Sequence, residues 1–191
     1  KHVVGCRVIG TSGTDAKCEW LVRNKIVDAA INYKTSKSLS KAIQKLAPNG
    51  VNVVFDNVGS DFLEASLSNL AHGARIVLCG AISQYNHSSK TAKMITGPRN
   101  YMNLLVKRAT MQGFVVFDYQ KEYSTAISNL IQWISEGKIR CYQEDLRGSG
   151  IEQFYPSLLS LFQGTNTGKV VVKIKEDCDS PTTTATVRSR L

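Results

Sequence analysis

Short apolar runs alternate with longer helical stretches along this chain, and that alternation restricts its possible folds more than any single motif does. Candidate strands fall at Cys6–Thr11, Ala29–Tyr33, Val51–Asp56, Arg75–Gly80 and Thr110–Phe117. Candidate helices fall between them at Asp15–Asn24, Ser38–Leu46, Asp61–Leu70, Tyr101–Lys107 and Glu122–Glu136. A repeated strand–helix–strand pattern implies parallel strands in a sheet covered on both faces, so the expected class is α/β, a doubly wound parallel sheet. The last helix has the plainest period. Tyr123, Ile127, Leu130, Ile131 and Ile134 share one face and Gly137 closes the segment, a stripe that predicts core packing and no chemistry.

After Gly137 the character changes. Ile139–Leu146 reads as a partly alternating strand, Pro156 suits the first turn of a short helix through Phe162, and Lys169–Ile174 reads as a final strand. Residues 138–175 therefore look like part of another layer. Residues 176–191 are rich in Asp, Ser, Pro and Thr without apolar period, as expected of a disordered extension.

Composition excludes several classes. With 191 residues and 42% hydrophobic content the chain can bury a real core. No apolar run approaches the roughly 20 residues of a membrane helix, and Lys1 onward lacks a signal peptide's apolar stretch, so a soluble protein is expected. The net charge of +9 is scattered rather than gathered into a basic run, which argues against a nucleic-acid partner. Cys6, Cys18, Cys79, Cys141 and Cys178 form an odd set without a C-x-x-C pair, so neither a disulfide framework nor a metal site is signalled, and reduced thiols are expected.

In an open doubly wound sheet, ligands bind outside the carboxyl ends of the strands. The first such end runs through Thr11, Ser12, Gly13 and Thr14 to Lys17. A strand that binds NAD here would be expected to end in a carboxylate for the ribose hydroxyls, whereas this one ends in hydroxyls, which favours NADP. Lys17 in a first helical turn opposes the helix dipole by about 0.3–1 kcal/mol unless an anion sits nearby. A 2′-phosphate would supply that anion, and a solvated surface lysine is the alternative. At the second end, Tyr33 either stacks on an adenine or caps the sheet edge. At the third, Asn57 offers a donor and an acceptor to a carboxamide or ribose, or simply forms a turn. The fourth, Cys79-Gly80-Ala81-Ile82-Ser83-Gln84-Tyr85, lets backbone approach a ligand and adds a phenol. Cys79 reads as a small buried group beside that ligand, since the loop has no His before His87 to act as a base.

The ordered segments GTSGTDAK, AINYKT, VVFDNVGS, ARIVLCGAISQYN, GPRNY, MQGFVVFDY, WISEGKI and GTNTGKVVVKI, spread over residues 5 to about 174, resemble the zinc-independent branch of the medium-chain dehydrogenase/reductases. The resemblance is to the NADP-dependent alkenal double-bond reductases, the leukotriene B4 12-hydroxydehydrogenase and prostaglandin reductase group. It implies a Rossmann domain over residues 1–137, a return segment of the catalytic domain over 138–175, and hydride transfer from NADPH to the β-carbon of an α,β-unsaturated aldehyde or ketone. By the same resemblance Lys17 and Tyr33 hold the 2′-phosphate and adenosine end beside Ser12 and Gly13. Asn57, the loop Cys79, Gly80, Ala81, Ile82, Ser83 and Tyr85, the run Phe114, Val115 and Val116, and Asn166 surround the ribose and nicotinamide. A homodimer of the full-length protein, without nucleic acid or membrane, is implied.

Two departures follow. The family carries a tyrosine just before the pair that here is Lys107-Arg108, credited with contacting the substrate oxygen; this chain has Val106, which leaves Tyr85 or a ribose hydroxyl to serve. The chain also starts near the end of the helix that should follow the first Rossmann strand, without the glycine-rich loop or the N-terminal substrate domain. In the order 3-2-1-4-5-6 that missing strand is central, so its neighbours would pair directly or leave ladder groups unpaired. As it stands, such a chain is expected to bind NADPH weakly or not at all and not to turn over. The competing readings are a catalytically silent, truncated dimerisation module, an NADPH quinone oxidoreductase, and, more distantly, a methyltransferase-like fold. The terminal Ser189-Arg190-Leu191 is similar to a peroxisomal address, which makes the peroxisome the alternative to the cytoplasm.

Overall fold

The computed structural model of the chain describes residues 1–85, 97–140 and 144–174. It divides into two compact units, Lys1–Ile139 and Arg140–Leu191. The expected extension at 176–191, with its terminal tripeptide, lies outside the described residues, as do Cys141 and Cys178.

The first unit opens with β1 (Ile9–Ser12), α1 (Asp15–Arg23), β2 (Ala29–Asn32) and α2 (Leu39–Leu46). Thr14 starts α1 by accepting the Lys17 N–H at 3.2 Å, with Asp15 in the first turn and Arg23 in the last, the charge order that the helix dipole favours. Ser38 caps α2 in the same way, accepting the Lys41 N–H at 3.3 Å. Leu39, Ala42, Ile43 and Leu46 follow the helical period and turn one face of α2 inward.

The chain continues through β3 (Val51–Asp56), α3 (Ser60–Leu67), β4 (Leu70–Leu78), α4 (Asn103–Lys107), β5 (Thr110–Gly113), a 3-10 segment (Val116–Glu122) and α5 (Tyr123–Ser135). All pairings are parallel: β1 with β2, β3 with β4, and β4 with β5. Val51 pairs with Leu70 but Val53 with Arg75, so β4 bulges over the intervening residues, where Gly73 adopts φ +69°. This is why strand pairing begins five residues before the predicted Arg75.

Strands β1 and β3 do not pair; they belong to separate sheets, β1–β2 and β3–β4–β5. Of the two outcomes open to these flanking strands, direct pairing is not the one observed. A shared apolar cluster still joins them, for Ile31, Ile43 and Ala65 pack with Ile9 of β1 and Val51 of β3. The second cluster, Val54, Leu67, Leu70, Ala74 and Ile76, is the larger one, with Leu67 and Ile76 each only 1% exposed.

Three expectations need correction. The apolar stripe of α5 is not core: Ile127, Leu130, Ile131 and Ile134 are all exposed, because among the described residues nothing covers that face. The sheet is likewise open on one side of β3, where Val53 and Phe55 face outward while Val54 and Asp56 are buried. The last strand of this unit ends at Gly113 rather than Phe117, since Val116 onward winds into the 3-10 segment.

The second unit is a strand–helix–strand crossover: β6 (Glu144–Ser149) and β7 (Lys169–Lys173) pair in parallel, linked through α6 (Phe154–Gln163). Pro156 sits in the first turn of α6 and Gly164 ends it in the left-handed region. Of the predicted strand Ile139–Leu146, residues 141–143 lie outside the described residues; β6 continues past Leu146 to Ser149, with Glu144, Asp145 and Leu146 opposite Lys169, Val170 and Val171. No helix among the described residues is long and apolar enough to cross a membrane.

Candidate functional site

The parallel register brings the tips of β1 and β2 together. Ser12 is opposite Asn32, and the Tyr33 N–H donates to the Ser12 carbonyl at 3.1 Å. A Cβ on Gly13 would stand 3.0 Å from Tyr33 Oη and 3.2 Å from Lys34 Cε, so the tyrosine lies over the glycine and an added side chain would push it aside. Asn32 ties the corner to α1: its amide donates to Asp15 Oδ1 at 2.7 Å while its own oxygen accepts the Lys34 N–H at 3.0 Å. Ser12, Gly13 and Tyr33 are thus gathered at one corner, with Lys17 in the adjoining first turn of α1, where helix N–H groups favour an anion. Beneath it Cys18 is buried, and burial, then the charge of Asp15, pushes its thiol above the usual range.

A second set of loops gathers at the tips of β3 and β4. Asp56 is fully buried, and its Oδ1 accepts from Val58 N–H at 2.7 Å and Gly59 N–H at 3.0 Å, which fixes the turn that carries Asn57. The Asp56 carbonyl accepts from Cys79 and Gly80 N–H at 2.8 and 3.2 Å. The Asn57 carbonyl accepts from Ile82 at 3.0 Å, and that of Val58 from both the backbone and the hydroxyl of Ser83. A Cβ on Gly59 would lie 3.1 Å from that of Ala81, and one on Gly80 would lie 3.0 Å from Tyr85 Oη, so both glycines permit a close approach. Tyr85 Oη accepts the Ala81 N–H at 3.0 Å, which leaves its own O–H available as a donor.

The structure therefore joins Asn57, Cys79, Gly80, Ala81, Ile82, Ser83 and Tyr85 as one loop pair. Cys79 is exposed there rather than buried as expected, because β4 ends at Leu78 and the chain leaves the sheet at that point. Phe114 follows β5, its N–H bonded to the Leu78 carbonyl at 2.9 Å, and Val115 and Val116 are exposed beside it. Asn166 belongs to the second unit, where its amide donates to Gly168 O at 2.9 Å.

Sequence reasoning passed over two aromatic partners. Phe55 meets Phe114 edge-on at 6.5 Å, and Tyr119 lies 5.2 Å from Phe114. The alternation of β3 already places Phe55 on the face opposite Val54; no local signal announces Tyr119, which depends on the kinked 3-10 segment.

Parallel strands whose carboxyl ends carry hydroxyl-rich and glycine-rich turns define an α/β protein of the doubly wound parallel-sheet class. More narrowly, the chain belongs to the zinc-binding dehydrogenase family, whose model matches residues 1–133. It is 40% identical over 170 residues to prostaglandin reductase 1 of Bos taurus, covering 88% of this chain and 50% of that protein. It is 37% identical over 175 residues to the NADP(+)-dependent 2-alkenal reductase of Nicotiana tabacum, covering 92% and 49%. Among solved structures, CurA of Vibrio vulnificus in complex with NADPH superposes with a TM-score of 0.78 at 36% identity, covering 90% of this chain and 50% of that one. The chain spans about half the length of the curated relatives it matches. Despite the family's name, no three His, Cys, Asp or Glu side chains among the described residues gather where a metal could sit.

Proposed function

We propose that this chain supplies the NADPH-binding part of an oxidoreductase that reduces the carbon–carbon double bond of α,β-unsaturated aldehydes or ketones, prostaglandin-type enones among them. The observation that carries the proposal is the β1–β2 corner, where Ser12, Gly13 and Tyr33 meet beside Lys17 and the strand tip offers hydroxyls in place of a ribose-binding carboxylate. The names of the tobacco reductase and of the Vibrio complex support the choice of NADP. In this reading residues 1–137 form the nucleotide-binding domain and 138–175 return to the catalytic domain.

When bound, NADPH supplies the hydride, and the chain's own part is orientation and electrostatics. The glycines at 59 and 80 let the two loops close on each other, and Asn57 would offer both a donor and an acceptor to the dinucleotide. Tyr85, its oxygen already accepting from Ala81, keeps an O–H that would donate to the substrate oxygen and would stabilise the enolate as negative charge develops there. With Val106 exposed on α4, no aromatic hydroxyl is available at that position.

The test is an NMR chemical-shift titration of the chain with NADPH and with NADH, a method that tolerates weak binding, repeated with Lys17→Ala. A charge-assisted contact to phosphate contributes about 1.5–3 kcal/mol, so a preference for NADPH of roughly tenfold or more is expected, and the variant should abolish it. Equal affinities in the unaltered chain would remove the assignment.

A further inference from the structure

We infer that Asp56 is a positioning residue, a buried carboxylate that locks the two cofactor loops to each other. The inference rests on the reading above and deepens it by naming what holds Asn57 and the Ala81–Tyr85 loop in place. Asp56 is 0% exposed, a costly situation for a carboxylate, so its hydrogen bonds matter. One oxygen, Oδ1, accepts from both Val58 and Gly59, and the residue's backbone carbonyl accepts from both Cys79 and Gly80. A single residue thus fixes the turn after β3 through its side chain and the start of the loop after β4 through its main chain.

The clamp extends outward. With the 57–59 turn set, the Asn57 carbonyl faces Ile82 N–H and the Val58 carbonyl faces Ser83, so the second loop is laced to the first at two successive residues. Gly59, lacking a Cβ, leaves room for Ala81, whose Cβ would be 3.1 Å from an added one. The Ala81 N–H, held in this way, is the donor that engages Tyr85 Oη. The path from the carboxylate to the phenol runs through these hydrogen bonds and the covalent backbone of the two loops.

The second carboxylate oxygen supplies the independent observation. Asp56 Oδ2 is buried and has no hydrogen-bond partner among the described residues. The side-chain contribution among the described residues therefore comes through Oδ1 alone, and a single amide oxygen at that place could supply it.

Because Oδ1 does the clamping, acceptance of hydrogen bonds rather than charge is the property that matters. Asp56→Asn keeps an amide oxygen that can take both N–H groups, whereas Asp56→Ala removes the acceptor. The experiment measures amide hydrogen exchange and NADPH-induced chemical shifts on the chain and both variants, with the core amide of Ile76 as the reference.

In Asp56→Ala, exchange at Val58, Gly59, Ile82 and Ser83 should rise about tenfold or more while Ile76 stays protected, and half-saturation of the shifts at Asn57 and Tyr85 should need at least about tenfold more NADPH. Asp56→Asn should restore both. Equal loss of protection at Ile76 would make the carboxylate a general structural group and overturn the inference. So would unchanged exchange at Ile82 and Ser83, or loosened loops with unchanged NADPH affinity. If the unaltered chain shows no NADPH shifts, the proposed function fails and takes this inference with it; binding that Asp56→Ala leaves intact sinks the inference alone.

Discussion

Gly50 links α2 to β3, the strand that ends in Asp56, and its replacement by alanine offers a calibrated test of the packing. Its φ is +85°, and an added Cβ would lie 2.5 Å from Ala71 N, 2.7 Å from Leu70 C and 2.8 Å from Ala71 Cα. All three are backbone atoms of β4 beside the buried Leu70, so no flexible side chain can swing aside. The left-handed conformation costs a non-glycine residue about 1–2 kcal/mol, and forcing strands apart in a packed region adds about 1–3 kcal/mol. Restricting the unfolded chain returns only about 0.4–1 kcal/mol. The net expectation for Gly50→Ala is a loss of about 2–4 kcal/mol. Gly73→Ala is the control, because φ there is +69° but nothing lies within 4 Å of the new carbon. It should cost about 1 kcal/mol, the conformational part alone. Urea unfolding of both variants, compared by midpoint at constant slope, gives the difference directly. If Gly50→Ala is no less stable than Gly73→Ala, the β3–β4 approach described above is wrong.

Other variants probe the remaining features. Ile76→Ala empties a fully buried position in the larger cluster and should cost about 2–5 kcal/mol by urea unfolding. Alkylation by iodoacetamide at pH 8, mapped by mass spectrometry, should modify the exposed Cys6 and Cys79 well before Cys18, whose thiol is buried and pushed upward by that burial; in urea the difference should vanish. Asp28 accepts from Lys1 and from the Val8 N–H, the Lys1 contact first, which holds its carboxyl below the usual range. A carboxyl with a depressed folded value adds stability above its ordinary value of 3.8, and that contribution fades as pH falls through the lower folded value. The difference in melting temperature between the chain and Asp28→Asn should therefore be constant from neutral pH to about pH 5 and shrink below about pH 4.

How far the sequence could be read depended on whether each signal was local. The tips of β1 and β2 were legible because hydroxyl residues, glycine and a capped helix start follow one another within a few positions, and the parallel register then sets Ser12 against Asn32. The amphipathic stripe of α5 was equally legible, yet its burial was not. Periodicity reports that a face is apolar without reporting what covers it, and here the described residues do not cover Ile127, Leu130, Ile131 or Ile134. The exposure of Cys79 and the contact of Phe55 with Phe114 depend on where β4 and β5 stop, the least periodic property of a strand.

Asp56 shows the same division from the other side. A polar residue ending an apolar strand reads from sequence as a turn former, and so it is, through Val58 and Gly59. Its grip on Cys79 and Gly80 belongs to the strand pairing, because β4 ends opposite it with Leu78 as its register partner. The residue is consequently common to both loops because of topology rather than motif. A substitution there should loosen residues more than twenty positions away while sparing the strands between, which distinguishes a clamp between loops from a local cap.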